Sequence, residues 1–337
     1  MQFVPILVVG FAAALGLTPL SRQIAMRLGV VDKPNHRKIH HDHKPLMGGL
    51  AIYLAFAISL LLFSPPRFLV ELGAVLSGAA FLALVGLADD RYNLGIRVRL
   101  GAMTVAALVL VAAGIQIHLF KIPWLDIPLT VLWVLTIINA ANFMDNMDGL
   151  TAGLTAAAAG FFMLIALTQG LTLVSSLAAA LLGSAVGFLI YNFNPSSIFM
   201  GDMGALVLGF VLAVLGIKLN FEEQPPGVTW MVPILVLALP IFDILLVVIT
   251  RILEGRSPGQ AGKDHTSHRL MSIGFSQRQT IFILYGACGL FGLLGLVVGA
   301  APPDIALKVG VFGLALLAFL FGLMMWVRRK YQLNAEG

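Results

Sequence analysis

Charge is what this sequence has least of. Only 11% of its 337 residues are Asp, Glu, Lys or Arg, while 59% are hydrophobic; a soluble globular chain carries roughly a quarter charged residues and under half apolar ones. A water-facing shell cannot be built from such a composition. Cysteine is nearly absent as well. The single Cys288 lies inside an apolar run, which excludes a disulfide framework, leaves the redox compartment unread and points to helix packing. The net charge of +5 would suggest nucleic acid in a soluble protein. Here the basic residues flank apolar runs, where membrane orientation signals belong, so no nucleic-acid partner is expected.

What the chain has in abundance is long apolar runs. Crossing a hydrocarbon core takes roughly twenty residues, and runs of that length alternate with short polar links. Read between charged or Pro/Gly breaks, they place helices near 3–20, 47–63, 68–87, 100–118, 127–142, 151–168, 171–191, 204–219, 230–250, 279–299 and 304–327. The expected fold class is all-α: a polytopic integral membrane protein of about eleven transmembrane helices, forming one catalytic domain over residues 1–337. The first run has no positive n-region and no clear small-residue cleavage site, so it is expected to be a retained helix.

Orientation follows from Lys and Arg. One side holds Arg22, Arg27, Lys33, Arg37, Lys38, Lys44, Arg91, Arg97, Arg99, Arg251, Arg256, Lys263, Arg269, Arg278, Arg328, Arg329 and Lys330; the other holds Arg67, Lys121, Lys218 and Lys308. The positive-inside rule then puts the N-terminus outside and the C-terminus in the cytoplasm. The cytoplasmic loops fall near 21–46, 88–99, 143–150, 192–203 and 251–278. This sorting accounts for Lys and Arg but not for the Asp, Asn and His residues crowded into the same loops. That excess calls for a functional account.

Asp89-Asp90 directly follows an apolar run, placing two carboxylates at a helix C-terminus, where the macrodipole disfavours negative charge. A divalent metal, a cation such as Arg97 or a raised pKa would compensate; a solvated loop start is the plainer reading. Asn142, Asp145 and Asp148 recur at a spacing of three and share a face if the helix continues, offering oxygens to Mg2+ or to a nucleotide. Asp148-Gly149 as a helix-end cap would explain only part of that set. Asp202 sits between Gly201 and Gly204, which suits either close approach of a phosphate or a plain N-cap. His265 and His268, beside Lys263 and Arg269, suit anion binding or proton transfer to a phosphate better than zinc, since no cysteine is at hand. His36, His40, His41 and His43 in the first loop read equally as a positive-inside anchor. Asp243 lies inside an apolar run, where a carboxylate is a functional candidate; a structural bond to a neighbouring helix serves as well.

Taken together, Met47-Gly48-Gly49, Asp89-Asp90, Asn142 to Gly149, Asn192 to Gly204, and Pro240-Ile241-Phe242-Asp243 through His268-Arg269-Leu270 resemble the polyprenyl-phosphate N-acetylhexosamine-1-phosphate transferases. The likeness is nearest the bacterial undecaprenyl-phosphate N-acetylglucosamine-1-phosphate transferases. Three consecutive histidines mark the muramoyl-pentapeptide branch, and Ser267 stands here where that pattern has its middle histidine.

The resemblance implies transfer of a sugar 1-phosphate, N-acetylglucosamine 1-phosphate in the nearest branch, from a UDP-sugar to undecaprenyl phosphate. UMP is released and a lipid-linked envelope glycan begun, at the cytoplasmic side of a bacterial inner membrane. Mg2+ is implied, with Mn2+ as its substitute, and a homodimer. Asp202 would ligate the metal, with Asp145 beside it or close to the nucleotide. Asn192 and Phe199 would hold and stack uracil, and Asn142 and Asp148 would contact the nucleotide. Asp89 and Asp90 would position or deprotonate the lipid phosphate, helped by Arg97. His265 and His268 would bind the diphosphate, with Lys44 and Arg269 among the neutralising cations.

A phosphate monoester has a second pKa near 6, so the attacking group is largely dianionic at neutral pH. Asp89 and Asp90 are therefore expected chiefly to orient it and balance charge. An ion-coupled transporter would place its polar residues near the midplane, and here they cluster at loops. An intramembrane aspartyl protease with a Gly-x-Gly-Asp motif would need glycine where Phe199 or Met200 stands.

Overall fold

Inside a bilayer no water satisfies backbone N–H and C=O groups, so an apolar run must bond them within itself. The computed structural model, which describes residues 2–32, 44–219, 221, 225–259 and 262–332, answers this with helices almost throughout. His36, Arg37, Lys38, His40, His41 and His43 of the first expected loop lie outside the described residues. The chain divides into two compact units, Met1–Lys218 and Leu219–Gly337.

The first unit runs α1 (Val4–Leu28), β1 (Val31–Asp32), β2 (Lys44–Pro45), α2 (Gly48–Phe63), α3 (Leu69–Tyr92), α4 (Ile96–Ala112), α5 (Pro123–Met144), α6 (Leu150–Thr168), α7 (Thr172–Asn192) and α8 (Gly201–Lys218). The second runs α9 (Pro226–Thr229), α10 (Met231–Val236), α11 (Ala238–Leu253), α12 (Thr266–Ser272), α13 (Gln277–Ala300) and α14 (Pro303–Val327), with a π-helical turn over Arg328–Gln332. Among the described residues, 8 stretches are long and apolar enough to cross a membrane: α1, Pro66–Tyr92, α5, α6, α7, α8, α13 and Pro303–Tyr331. The apolar α2 is shorter, at 16 residues.

Three local expectations change. The loop after α1 contains a two-residue antiparallel ribbon pairing Val31 with Pro45 and Asp32 with Lys44. The run expected as one helix over 230–250 is two, α10 and α11, meeting at Leu237. Pro240 stands in the first turn of α11, where its missing N–H removes no intrahelical bond. Finally, α5 stops at Met144, so Asn142, Asp145 and Asp148 do not share a helix face.

The first unit is organised around α8, which is apolar on every side and accordingly buried along almost its whole length. It packs against α2, α3 and α5. Small residues let the backbones meet, as helix contacts in lipid require. A Cβ added to Gly49 would collide with the backbone of Gly204. That contact, with hydrogen bonds from Gly48 N to Phe199 O and from Gly49 N to Met200 O (both 2.9 Å), seats the start of α2 against the strand of chain leading into α8.

Candidate active site

The carboxylates at the end of α3 obtain their positive partners from two directions. Asp89 is buried. Its Oδ2 accepts from Arg99 Nη1 at 3.0 Å, and its Oδ1 accepts from the Leu94 backbone N–H at 2.6 Å. Asp90 reaches across to α8. Its Oδ1 accepts from Asp202 N (2.9 Å) and its Oδ2 from Met203 N (3.3 Å). A carboxylate misplaced at the negative end of α3 thus becomes well placed at the positive end of α8, whose first N–H groups have no intrahelical acceptor. Gly201 makes this possible, since its φ is +70° and any Cβ there would strike the Asp90 carboxylate.

Asp202 lies in the first turn of α8, one residue past the start, so it is not the N-cap. Its Oδ1 accepts from Asn142 Nδ2 at 2.6 Å, and its Oδ2 is 3.9 Å from Arg99 Nη1. Asp145 directly follows α5. Burial, then the negative charges of Asp202 and Asp148, push its carboxyl up to about 8. Asp89, Asp90, Asp145 and Asp202 are therefore near neighbours, and the cation paired with them among the described residues is Arg99.

This donor set fits a hard divalent cation. No group of three or more His, Cys, Asp or Glu side chains is arranged to enclose a metal among the described residues. Mg2+, however, commonly takes one or two protein carboxylates and completes its shell with water and substrate phosphates. Asp202 and Asp145 are the pair that would hold it.

Other residues assigned to substrate by resemblance also bond within the scaffold. Asn192 is buried; it accepts from Gly149 N (3.0 Å) and donates to Ile198 O (3.0 Å). Asp148 Oδ2 accepts from Ser196 N (3.0 Å) and from Asn194 Nδ2 (3.3 Å). Lys44 donates to Ser196 O. Phe199 is half-buried, and its backbone N donates to Pro45 O at 2.9 Å. These residues join the third and fourth loops into one platform, with the ribbon residues Lys44 and Pro45 bound to the fourth.

Arg97 is exposed, and the cation at Asp89 is Arg99. Two residues apart on a helix differ by about 200° in direction, so α4 can bring only one of the two to the carboxylates. The signal that would have found Arg99 is helical spacing: it stands three, four and seven residues before Ala102, Met103 and Ala106 on the buried stripe of α4.

The second unit builds a different cluster. Asp243 has 0% exposure; its Oδ2 is 2.8 Å from His265 Nδ1 and its Oδ1 accepts from Thr266 N at 2.7 Å. The His265 and His268 rings are 5.6 Å apart. Burial, followed by the electrostatic influence of the neighbouring His265, drives the His268 pKa down to about 4, so this ring is neutral at pH 7. Its Nδ1 is buried with no hydrogen-bond partner, a polar atom suited to meet a ligand.

Arg269, expected to neutralise substrate, is instead fully buried. It donates Nε to Asp264 O (3.0 Å), Nη1 to Met324 O (2.7 Å) and Nη2 to Thr250 Oγ1 (2.7 Å). Burial, then the charge of Arg328, lowers its pKa to about 10, so it remains a cation at pH 7. Asp264 is held by Arg251 Nε (3.0 Å), Arg256 Nη2 (2.7 Å) and Arg328 Nη1 (3.2 Å). Burial, the largest single influence, raises the Asp264 pKa, but hydrogen bonds from Arg256 and Arg251 and the arginine charges outweigh it together and hold the group at about 2.

Comparison with known proteins identifies the family. Residues 72–220 match the model of glycosyl transferase family 4. The chain is 33% identical over 321 residues to a Bacillus subtilis protein named probable undecaprenyl-phosphate N-acetylglucosaminyl 1-phosphate transferase, covering 92% of this chain and 88% of the relative. It is 32% identical over 335 residues to the Mycolicibacterium smegmatis decaprenyl-phosphate N-acetylglucosaminephosphotransferase, covering 86% and 80%. It is 27% identical over 330 residues to the Yersinia pestis undecaprenyl-phosphate alpha-N-acetylglucosaminyl 1-phosphate transferase, covering 92% and 87%. A helical membrane fold, the ordered loop motifs and likeness along nearly the whole chain lead to one conclusion: this protein belongs to the family of polyprenyl-phosphate N-acetylhexosamine-1-phosphate transferases, enzymes of glycosyl transferase family 4.

Proposed function

We propose that this protein transfers N-acetylglucosamine 1-phosphate from UDP-N-acetylglucosamine to undecaprenyl phosphate, releasing UMP, in a Mg2+-dependent reaction at the cytoplasmic face of a bacterial inner membrane. The observation that carries the reading is the gathering of Asp89, Asp90, Asp145 and Asp202 at the ends of apolar helices, with Arg99 between Asp89 and Asp202. The names of the relatives supply the lipid phosphate and the sugar. The basic loops supply the orientation.

In this reaction an oxygen of the lipid phosphate forms a bond to the sugar-bearing phosphorus of the diphosphate, the bond from that phosphorus to the bridging oxygen breaks, and UMP leaves with the electron pair. Such a transfer needs positioning and charge neutralisation more than covalent help. The chemistry that Mg2+ supplies when held by Asp202 with Asp145 is neutralisation of the diphosphate oxygens. Asn142 fixes the Asp202 carboxylate by its 2.6 Å bond, and Asp90 fixes the first turn of α8 that carries it. Arg99 restrains Asp89 and adds positive charge where phosphate oxygens must approach. His268, neutral with a buried unpartnered Nδ1, suits a phosphate as a hydrogen-bonding group. The lipid phosphate arrives largely dianionic, so no general base is demanded of Asp89 and Asp90, whose carboxylates hold Arg99 and the first turn of α8 in place.

The experiment is incubation of purified protein with undecaprenyl phosphate, Mg2+ and each of several UDP-sugars. UMP and a lipid-linked product are expected with UDP-N-acetylglucosamine. Absence of UMP with every sugar would overturn the reading.

A further inference from the structure

Asp243 is an acid in an unusual place. It lies within α11 with 0% exposure, where an ionised carboxylate without partners is costly. Arginines are close in sequence but engaged elsewhere: Arg251, on the same helix, gives its Nε to Asp264 at 3.0 Å. The partners of Asp243 are the His265 ring at 2.8 Å and the Thr266 backbone N–H at 2.7 Å. Both stand at the beginning of α12, where His265 is the N-cap residue. One side chain therefore seats an imidazole and the backbone that follows it.

The two oxygens of Asp243 divide this work. Oδ1 holds the main chain, which fixes where the ring is attached; Oδ2 holds Nδ1, which fixes how the ring is turned. An ionised carboxylate only accepts hydrogen bonds, so its partner nitrogen must carry a proton. The identity of the protonated nitrogen in a histidine is set by the bond that nitrogen makes.

We infer that Asp243 is a positioning residue for the transfer: it keeps a proton on His265 Nδ1 and orients the ring so that the bare Nε2 accepts a hydrogen bond from the hydroxyl that a phosphate monoester retains below its second pKa near 6. The part of His265 in the reaction is what the family resemblance implies, and it rests on the transfer proposed above. Asparagine at this position is nearly isosteric, but its amide group can donate to Nδ1 as well as accept from it. The proton is then free to sit on Nε2, and a ring in the wrong tautomer costs turnover without a change of fold, by as much as ~10⁴-fold in serine proteases.

The test uses full-length protein in bilayers, labelled with [15N]histidine and observed by solid-state NMR, with His265→Gln to assign the resonance. A proton on Nδ1 of His265 is expected in the wild type; a bare Nδ1 would overturn the inference, whatever the variants do. In Asp243→Asn the proton is expected on Nε2, with kcat for UMP release lowered roughly 10²-fold or more and the thermal midpoint nearly unchanged. Because Asp243 acts through His265, the same substitution in a His265→Ala background should change kcat by less than about twofold. An equal loss in both backgrounds, or wild-type turnover in Asp243→Asn, would overturn it. Wild-type protein that makes no UMP would instead sink the proposed reaction, and the imidazole spectra would still decide where the proton sits.

Discussion

The two units each bury a polar cluster in an apolar protein, and they balance charge differently. In the first, Asp89, Asp90, Asp145 and Asp202 crowd together, and their positive partners are Arg99 and the N-terminus of α8. In the second, Asp264 is met by Arg251, Arg256 and Arg328, and Arg269 places three donors on Asp264 O, Met324 O and Thr250 Oγ1. The first cluster has negative charge to offer a cation, as its raised Asp145 shows; in the second, the arginine network around Asp264 is closed on itself, as the depressed Asp264 shows, and His268 Nδ1 is left without a partner among the described residues. A buried network whose members are all satisfied specifies a fold, whereas one left incomplete is where a ligand belongs.

The contrast can be broken most forcefully at Asp202. Asp202→Asn keeps a side chain able to meet Asn142 but removes charge, so UMP release should fall by roughly 10²-fold or more, while the thermal midpoint holds or rises. The opposite pattern is expected for Arg269→Leu. It strands the acceptors of the second cluster and should cost about 2–4 kcal/mol of stability, read as a lower thermal midpoint, with KM for UDP-sugar unchanged in the protein that remains folded.

Acidity separates the clusters more gently. Asp145 has a folded value of about 8 against an ordinary 3.8, so the fold favours its proton; the stability it contributes is present in acid and is lost as pH rises toward 8. A cation must displace that proton, so apparent Mg2+ affinity should strengthen up to ~10-fold per pH unit below that point and level off above it. Titrations of UMP release with Mg2+ check this, and Asp145→Asn should flatten the slope. In the second unit the sign reverses. Asp264, at about 2 in the fold, stabilises above its ordinary 3.8 and loses that contribution as pH falls. His268, neutral in the fold down to about 4, adds to the loss between 6.5 and 4, because the unfolded chain takes up the proton first. Amide protection factors in residues 262–272, taken relative to the intrinsic exchange rate at each pH, should fall across that window. The smallest effect separates neighbours on α4: Arg99→Ala should lower kcat/KM about tenfold, whereas the exposed Arg97→Ala should stay within about twofold.

Much of this was legible because apolar length and loop chemistry are written locally. The helices expected over 47–63 and 151–168 are Gly48–Phe63 and Leu150–Thr168. The polar loops that stood out by composition are those that carry the clusters. What stayed hidden depends on which chain meets which. Asp90 capping α8 joins residues 112 positions apart, and no local pattern distinguishes that role from binding a phosphate. Asn192 and Asp148 have side chains suited to a nucleotide, and no local pattern shows their bonds to Gly149 and Ser196, which join the third and fourth loops. Arg269 sits in a motif beside two histidines, but burial against Met324 and Thr250 assigns it to the fold.

The most direct measurement is electron paramagnetic resonance of Mn2+ with the purified protein in the presence of UDP-N-acetylglucosamine. A single tightly bound ion is expected, and it should disappear in Asp202→Asn. No bound ion, or one that survives Asp202→Asn, would contradict the claim that the carboxylates of the first unit are completed by a divalent cation.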